Sequence, residues 1–225
     1  MEVKVHSGIF KANDLLARQN RSFFGEHGLY VINVLGSPGS GKTTLLERTV
    51  EACRSRSGLR IGVIEGDIET SRDAERLAEM GVPAIQINTR GACHLDAAMI
   101  GGVLEDLSTE EIDVLFVENV GNLVCPVGFD LGENAKVTVL SVTEGQDKPA
   151  KYPEAFRKSR AIVVNKTDLL QHTNVSLETL RRDILAISPG MRVIAVSSQT
   201  GDGIPDWVDW LEATVRDWRT SREQR

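Results

Sequence analysis

The feature that most constrains the fold of this chain is a glycine-rich octapeptide, GSPGSGKT, at residues 36–43. It follows the apolar run LYVINVL at 29–35 and precedes a helical pattern at 42–55. The octapeptide matches G-x-x-x-x-G-K-[ST] at every fixed position, and this pattern needs a strand before it and a helix after it. We therefore expect an α/β chain built around a phosphate-binding loop.

Six more apolar runs of strand length follow, and all are rich in Val and Ile without alternating polar residues. They are LRIGVIE (59–65), VPAIQI (82–87), DVLFVE (113–118), AKVTVLSV (135–142), RAIVVN (160–165) and MRVIAVS (191–197). Helical patterns occur between several of them, at 71–80, about 95–107, 176–187 and 204–218. Continuous apolar runs are typical of parallel strands buried on both faces. We predict a doubly wound, mainly parallel sheet flanked by helices.

The length and the distribution of residues favour one domain. A chain of 225 residues can bury one sizeable core and leaves little room for a second. Residues 1–28 are expected to form an N-terminal helical extension that docks on a core of residues 29–218. The charged tail at 216–225 is expected to fray.

Composition bounds the surroundings of the protein. A net charge of −6 argues against a surface that coats nucleic acid. No apolar run is long enough to span a membrane, and the N-terminus has no apolar signal region. Three cysteines, an odd number, do not form a disulfide framework, so the sequence favours a reducing cytoplasm.

The octapeptide predicts a nucleotide phosphate site. Its glycines let backbone amides curl around phosphate oxygens, and the following helix N-terminus adds partial positive charge. We expect Lys42 to reach the β- and γ-phosphates as a catalytic group, and Thr43 to offer its hydroxyl to Mg²⁺. The predicted nucleotide-binding residues here are Gly36, Ser37, Gly39, Ser40, Gly41, Lys42, Thr43 and Thr44.

Two acids at strand ends can complete this site. Asp67 follows the second apolar run and Glu118 ends the fourth, and carboxyl ends of parallel strands point into the ligand crevice. We predict both as Mg²⁺ ligands, and Asp67 also as the catalytic residue that positions water. Glu118 to Gly121 has the spacing of an acid-x-x-Gly switch, in which the Gly121 amide senses the γ-phosphate.

The sequence NKTD, Asn165 to Asp168, ends the sixth run and predicts guanine as the base. The Asp168 carboxylate can accept hydrogen bonds from guanine N1–H and the exocyclic amine, whereas adenine would leave it unpaired. Lys166 can cover the base face and Asn165 can tie the loop together. Ser197, Ser198 and Gln199, which follow the last run, can bring backbone amides near guanine O6.

Cys93 and His94 are adjacent, and Cys125 follows the predicted switch, so all three lie in loops at one sheet edge. Thiolate and imidazole suit Zn²⁺ and Ni²⁺, and three ligands leave one coordination position open. Buried cysteines are also often simple apolar residues, and the residues alone leave both readings open. Cys53 is expected in the core, and His6, His27 and His172 on the surface.

Several motifs together closely resemble the HypB family, the GTPases that help load nickel into [NiFe] hydrogenase. They are NDLLARQNR, GSPGSGKTT, EGDIETSRDAERL, GACHLDA, ENVGNLVCP, EGQDKPAKYP and NKTDLL. The resemblance implies a P-loop GTPase of the signal-recognition and partitioning class, with GTP or GDP, Mg²⁺ and Ni²⁺ or Zn²⁺ as ligands. It also implies that Cys93, His94 and Cys125 bind the metal near a subunit interface.

The resemblance further implies a GTP-dependent homodimer, with Lys148 approaching nucleotide from the partner subunit. Hydrogenase maturation proteins and the hydrogenase large subunit are the implied partners, and slow GTP turnover is expected. Because the switch and Cys125 share one loop, we hypothesise that nucleotide state alters metal affinity, and that metal alters hydrolysis in return.

Other classes remain open at this point. The sibling GTPase that loads nickel into urease is expected to carry Cys-Pro-His, whereas residues 125–127 read CPV. A P-loop small-molecule kinase is disfavoured by NKTD and by the absence of an arginine-rich lid in the sequence. A non-catalytic metal carrier on a nucleotide-binding fold is separated from a GTPase by measuring GTP turnover.

Overall fold

The computed structural model describes residues 8–68 and 72–224. The surface position predicted for His6, the first seven residues of the predicted extension and the first residue of the helix predicted at 71–80 lie outside these ranges. The seven strands are β1 (Tyr30–Gly36), β2 (Ile61–Asp67), β3 (Ala84–Asn88), β4 (Val114–Glu118), β5 (Ala135–Ser141), β6 (Ala161–Asn165) and β7 (Arg192–Ala195).

Helices connect or flank these strands. They are α1 (Gly8–Glu26), α2 (Lys42–Arg56), α3 (Arg72–Glu79), α4 (Ala97–Gly101), α5 (Lys148–Lys151), α6 (Pro153–Lys158), α7 (Leu177–Ile187) and α8 (Ile204–Glu223). Short 3₁₀ turns cover Leu104–Asp106, Thr109–Glu111, Cys125–Gly128, Val142–Glu144 and Thr167–His172. Among the described residues, no helix has both the length and the apolar character needed to span a membrane.

The strands form one sheet in the order β3-β2-β4-β1-β5-β6-β7, and each neighbouring pair is parallel. The predicted doubly wound sheet is confirmed, and each of the seven apolar runs contributes a strand. β1 lies between β4 and β5, so the chain reverses its winding direction at β1. The crevice at such a reversal is where open α/β sheets bind ligands.

Helices cover both faces of the sheet. Successive side chains of each strand point to opposite faces, so each strand places apolar side chains against both layers of helices. On one face Ile32 and Val34 pack among residues of α2 and α8, where Trp207 donates to the Thr49 hydroxyl at 2.8 Å. On the other face Val31 packs near Phe24 of α1. Burying each large apolar side chain contributes about 1.5–3 kcal/mol, so this double burial explains the Val- and Ile-rich strands.

The predicted helix at 95–107 is much shorter in the structure. Asp96 caps α4 by accepting a hydrogen bond of 2.8 Å from the Met99 amide. The helix ends at Gly101, and Gly102 follows it, because two consecutive glycines are poor helix formers. The residues beyond form only a 3₁₀ turn.

The C-terminal tail is helical to Glu223, so the prediction that it frays is wrong for its described residues, 216–224, while residue 225 lies outside the described ranges. Trp218 packs edge-on against Tyr30, with ring centroids 5.4 Å apart. Arg219 donates to Asp113 at 2.7 Å, and the Arg222 guanidinium lies over the Trp218 ring. The contacts of Trp218 and Arg219 hold the last turns of α8 against the body of the domain, whereas the Arg222 contact lies within the helix.

Candidate functional site

The phosphate-binding loop joins β1 to α2 and needs its glycines for geometric reasons. Gly39 and Gly41 have φ values of 73° and 89°, in the left-handed region that glycine adopts without strain. A Cβ at Gly36 would lie 2.6 Å from Ser40 Oγ and 2.7 Å from the Val139 carbonyl oxygen. The loop therefore turns tightly at the N-terminus of α2, the arrangement that binds phosphate groups.

Lys42, Thr43 and Glu118 meet at the base of this loop. Thr43 donates a hydrogen bond of 2.9 Å to Glu118 Oε1, and Lys42 Nζ lies 3.9 Å from the same oxygen. Glu118 is the last residue of β4 and is buried. Burial raises the pKa of Glu118 to about 7, and Lys42 opposes this rise. A cation beside Glu118 would favour its charged form.

A buried acid that sequence reasoning missed, Glu65, stands beside Glu118 at the same register of neighbouring strands. Burial, with Glu118 as the next contribution, raises the pKa of Glu65 to about 8. Its position inside the apolar run LRIGVIE was the available signal, since buried acids are rare unless they are paired or functional. Asp67 ends the same strand, and its Oδ1 accepts from the Ile68 amide at 2.6 Å.

A cleft of about 390 Å³ opens between the phosphate-binding loop and the ends of β2 and β4. Lys42, Thr43, Asp67 and Glu118 line it, as does Gly121. The buried oxygens without a hydrogen-bond partner among the described residues include Ser40 Oγ, Glu65 Oε2 and Glu118 Oε2, which lie near the loop. Mg²⁺ prefers carboxylate and hydroxyl oxygens together with substrate phosphates, so the donor set suits Mg²⁺ with a nucleotide.

Asn165 ties the NKTD segment, residues 165–168, which we call the base loop, to the phosphate loop. Its Nδ2 donates to the carbonyl oxygen of Ser40 at 3.1 Å, and its Oδ1 accepts from the Ser198 amide at 3.1 Å. The side chain is 1% exposed, so these bonds are shielded from water. Asn165 therefore joins the two loops, and its part in base recognition stays a prediction.

The remaining base-loop residues gather around Asn165. Asp168 Oδ1 accepts from the Ser197 hydroxyl at 2.5 Å, and Lys166 Nζ donates to the Gly39 carbonyl at 2.7 Å. Arg48 of α2, which sequence reasoning missed, donates to the carbonyl oxygens of Ser198 at 2.8 Å and of Gln199 at 3.4 Å. NKTD and the Ser197–Gln199 segment, far apart in sequence, therefore form one site beside the phosphate loop.

Lys148 lies beside the phosphate loop of its own chain. Its Nζ donates to the Ser37 hydroxyl at 3.2 Å and lies 3.3 Å from Glu144. The expected approach to nucleotide from a partner subunit stays a prediction, and the observed position already brings a cation to the loop.

Cys93, His94 and Cys125 form a compact cluster, whose three ligand atoms all lie within 4.8 Å of one another. Cys93 Sγ is 3.8 Å from His94 Nδ1. Bonds of about 2.0–2.3 Å in a tetrahedral site separate neighbouring ligand atoms by about 3.5–3.8 Å, so small movements would complete a common site. A hydrogen bond with Cys125 is the main cause that raises the pKa of Cys93. Metal binding must therefore displace a thiol proton.

The remaining sulfur and imidazole groups occupy other places. Cys53 is fully buried in the core, as predicted. His27 and His172 are exposed, as predicted. The ring of His94 stacks on Phe129 with centroids 3.9 Å apart, which fixes the imidazole near the cysteines.

The segment after β4 contacts both the phosphate loop and the loop that carries Cys93 and His94. A Cβ at Gly121 would lie 2.8–3.0 Å from atoms of Pro38, so the two loops touch. Asn119 Oδ1 accepts from the Leu95 amide at 3.0 Å, next to His94. Asn122 Nδ2 donates to the Cys93 carbonyl at 3.3 Å. The acid-x-x-Gly segment is thus physically joined to the cysteine and histidine cluster.

Helix α1 holds the segments that follow the cluster. Asn20 donates to the carbonyl oxygens of Ala97 and Leu131, and Asn13 accepts from the Ala97 amide at 2.9 Å. Arg21 Nη2 donates to both carboxylate oxygens of Asp130 and so forms an ion pair with it. The helix expected in the N-terminal extension therefore supports both loops that carry the cluster.

The fold and the site define a P-loop nucleotide-binding protein that carries a cysteine and histidine cluster beside its nucleotide cleft. The CobW/HypB/UreG nucleotide-binding domain matches residues 30–195. A hydrogenase maturation factor HypB from Rhizobium leguminosarum bv. viciae is 48% identical over 213 residues, covering 95% of this chain and 71% of that protein. The chain belongs to the HypB family within the CobW/HypB/UreG group.

Solved structures agree with this assignment. HypB from Helicobacter pylori in complex with nickel superposes with a TM-score of 0.86 at 37% identity, covering 92% of this chain and 96% of that one. A hydrogenase maturation factor HypB from Archaeoglobus fulgidus gives a TM-score of 0.84 at 40% identity, covering 91% of this chain and 99% of that one.

Proposed function

We propose that this protein is a GTP-hydrolysing metallochaperone that binds nickel or zinc and delivers nickel during [NiFe] hydrogenase maturation, with its metal site coupled to nucleotide state. The observation that carries the proposal is the placement of Cys93, His94 and Cys125 within 4.8 Å of one another. The loop that carries Cys93 and His94 is hydrogen-bonded to the segment that begins at Glu118 in the nucleotide cleft and leads to Cys125. Metal-binding chemistry and nucleotide chemistry thereby share one segment of chain.

The nucleotide half of the proposal rests on the cleft residues. Gly36 to Thr44 would hold the phosphates, and Lys42 would neutralise charge on the β- and γ-oxygens. Thr43, Asp67 and Glu118 would hold Mg²⁺, which supplies charge neutralisation of the phosphates when bound. Asp67 lines the cleft, and we assign it the role of orienting the attacking water. Asp168, hydrogen-bonded to Ser197, would select guanine.

The metal half of the proposal rests on the ligand chemistry. Two thiolates and one imidazole suit Ni²⁺ or Zn²⁺ and leave a coordination position open. An open position favours transfer, because an incoming ligand can bind before an existing one leaves. The name of the Rhizobium relative supports a role in hydrogenase maturation, and the nickel in the Helicobacter structure supports nickel as the cargo.

The partners follow from the same assignment. We infer a GTP-dependent homodimer, hydrogenase maturation proteins as exchange partners, and the hydrogenase large subunit as the final acceptor. Lys148 would contribute to the nucleotide site of its own chain or of a partner subunit. The free cysteines Cys53, Cys93 and Cys125 support a reducing cytoplasm as the place of action.

Phosphate release from GTP and from ATP, together with nickel binding, tests the proposal on one preparation. We expect turnover of GTP but not of ATP, and a loss of about 100-fold or more for Lys42→Ala. Nickel is expected to bind wild type and not Cys93→Ala. Nickel binding without GTP turnover would identify a metal carrier that uses the fold without catalysis, and would contradict the proposal.

A further inference from the structure

We propose that Asn122 is a positioning residue that transmits nucleotide state to the metal ligands, an inference that rests on the function proposed above. Three contacts lead to this residue. Its backbone pairs with Gly36, the first residue of the phosphate loop, in an isolated antiparallel bridge. Its Nδ2 donates to the Cys93 carbonyl at 3.3 Å, and its Oδ1 accepts from the Val124 amide at 2.8 Å.

These contacts join the nucleotide site to both cysteine ligands. The bridge connects Asn122 to the end of β1, where the phosphate loop begins. The bond to the Cys93 carbonyl holds the loop that carries Cys93 and His94. The bond from the Val124 amide forms a local turn that leads directly into Cys125. One side chain therefore fixes how the two thiols are placed relative to each other.

Asn119 is held in place by buried hydrogen bonds, so Asn122 can move relative to it. Asn119 is 1% exposed and accepts from the Leu95 amide at 3.0 Å, while its Nδ2 donates to Asn33 of β1 at 3.1 Å. The Asn122 bond to Cys93 is longer and lies at the surface. Because surface bonds exchange readily with water, this bond is the one that a shift of the loop would alter first.

Nucleotide would act on the residue next to Asn122. Gly121 lies against Pro38 of the phosphate loop, with no room there for a side chain. A γ-phosphate that engages the Gly121 amide would displace Asn122 together with it. The displacement would change the bond to Cys93 and so the separation of the Cys93 and Cys125 thiols, while Asn119 holds Leu95 in place.

Two substitutions separate the bond to Cys93 from the local turn. Asn122→Ala removes both bonds of the side chain. Asn122→Ser keeps a hydroxyl that can accept from the Val124 amide, but it has no amide group to reach the Cys93 carbonyl. Asn134→Ala is the matched control, because Asn134 is an exposed asparagine whose Oδ1 accepts from the Val31 amide at 2.7 Å, at the start of β1.

The experiment titrates Ni²⁺ into each protein loaded with GDP or with a non-hydrolysable GTP analogue, following thiolate-to-nickel absorbance. Wild type and Asn134→Ala are expected to show affinities that differ between the two states by about fivefold or more. Asn122→Ala and Asn122→Ser are expected to bring the two affinities within about twofold of each other. Their melting temperatures and GDP affinities should stay near wild type, which a general structural defect would not allow.

A wild-type difference that persists in Asn122→Ala would overturn the inference and leave the proposed function intact. A difference that is lost in Asn122→Ala but kept in Asn122→Ser would assign the effect to the turn and also overturn it. Equal affinities in wild type itself would refute the coupling in the proposed function, and the inference with it.

Discussion

The Thr43 hydroxyl donates a hydrogen bond of 2.9 Å to the carboxylate of Glu118. This bond joins the first turn of α2 to the last residue of β4, and it lies beneath the phosphate loop. A phosphate-bound cation that engages Thr43 would therefore act on the start of the segment that carries Gly121, Asn122 and Cys125. This bond is the first link in the connection that we propose between the nucleotide and the metal ligands.

The proposed preference for guanine can be tested at Asp168. Asp168→Asn is expected to weaken GTP binding by about 100-fold or more, because the amide offers a donor to the guanine amine. Xanthine carries a carbonyl oxygen in place of that amine, so XTP should bind the variant better than GTP does. Competition of each nucleotide against a fluorescent analogue measures both effects.

Asp202→Asn is the control for this change. Asp202 is an exposed acid near the base loop, where it accepts from the Thr200 hydroxyl at 2.7 Å. It should keep the wild-type preference. Unchanged GTP affinity in Asp168→Asn would remove NKTD from the base site.

The metal cluster predicts a sharp contrast between two histidines. His94→Ala is expected to lower nickel affinity by about tenfold or more, because one of three ligands is lost. His27 is the matched control, since its ring also packs against a phenylalanine, Phe23, in a tilted arrangement with ring centroids 4.0 Å apart. Isothermal titration with Ni²⁺ should show wild-type affinity for His27→Ala, and an equal loss in both variants would argue against the cluster.

Contact between the switch segment and the phosphate loop can be tested at Gly121. Gly121→Ala would place a Cβ 2.8 Å from Pro38 Cγ, so the segment must shift. We expect GTP turnover to fall by about tenfold or more, with GDP affinity changed far less, because the amide is needed at the γ-phosphate. Gly25→Ala has open space around the added methyl and serves as the control. Wild-type turnover in Gly121→Ala would exclude this contact from the mechanism.

The pH dependence of stability should report on Asp113, which anchors the C-terminal helix. Burial alone would raise the pKa of Asp113, but hydrogen bonds from Arg60 and Arg219 lower this pKa to about 2. A folded-state pKa below the ordinary value near 3.8 stabilises the fold above that value. This stabilisation is lost as pH falls from about 4 to about 2.

Asp113→Asn should therefore lower the free energy of unfolding at pH 7 by about 1–2 kcal/mol, allowing for the exposure of the two arginines. Urea unfolding at pH 7 and at pH 2.5 measures the difference, which should shrink at the lower pH. A difference that stays constant with pH would mean that the ion pairs do not stabilise the helix.

Contiguous motifs allowed much of the fold and site to be predicted. The octapeptide at 36–43, NKTD and seven apolar runs each specify local structure by their own residues, and parallel strands bring their ends together at one edge. The proximity of Cys93 and Cys125 could be predicted in the same way, since both residues follow strands that end at that edge.

Other features depend on contacts between distant segments and could not be predicted. The place of Glu65 in an apolar run was a signal for a buried acid, but its pairing with Glu118 depends on which strand lies next to β2. Arg48 and Asn122 act through backbone carbonyl oxygens, which leave no trace in a sequence pattern. The last turns of α8 are held by Tyr30 and Asp113, so local propensity alone suggested a frayed tail.

The most direct test of GTP-gated metal binding is a nickel titration of wild type with GDP and then with a non-hydrolysable GTP analogue, beside Cys93→Ala. We predict that nickel binds wild type, that Cys93→Ala abolishes binding, and that the two nucleotide states differ in affinity by about fivefold or more. Equal nickel affinities in the two states would contradict the coupling. An absence of nickel binding in both states would return Cys93 and His94 to a structural role.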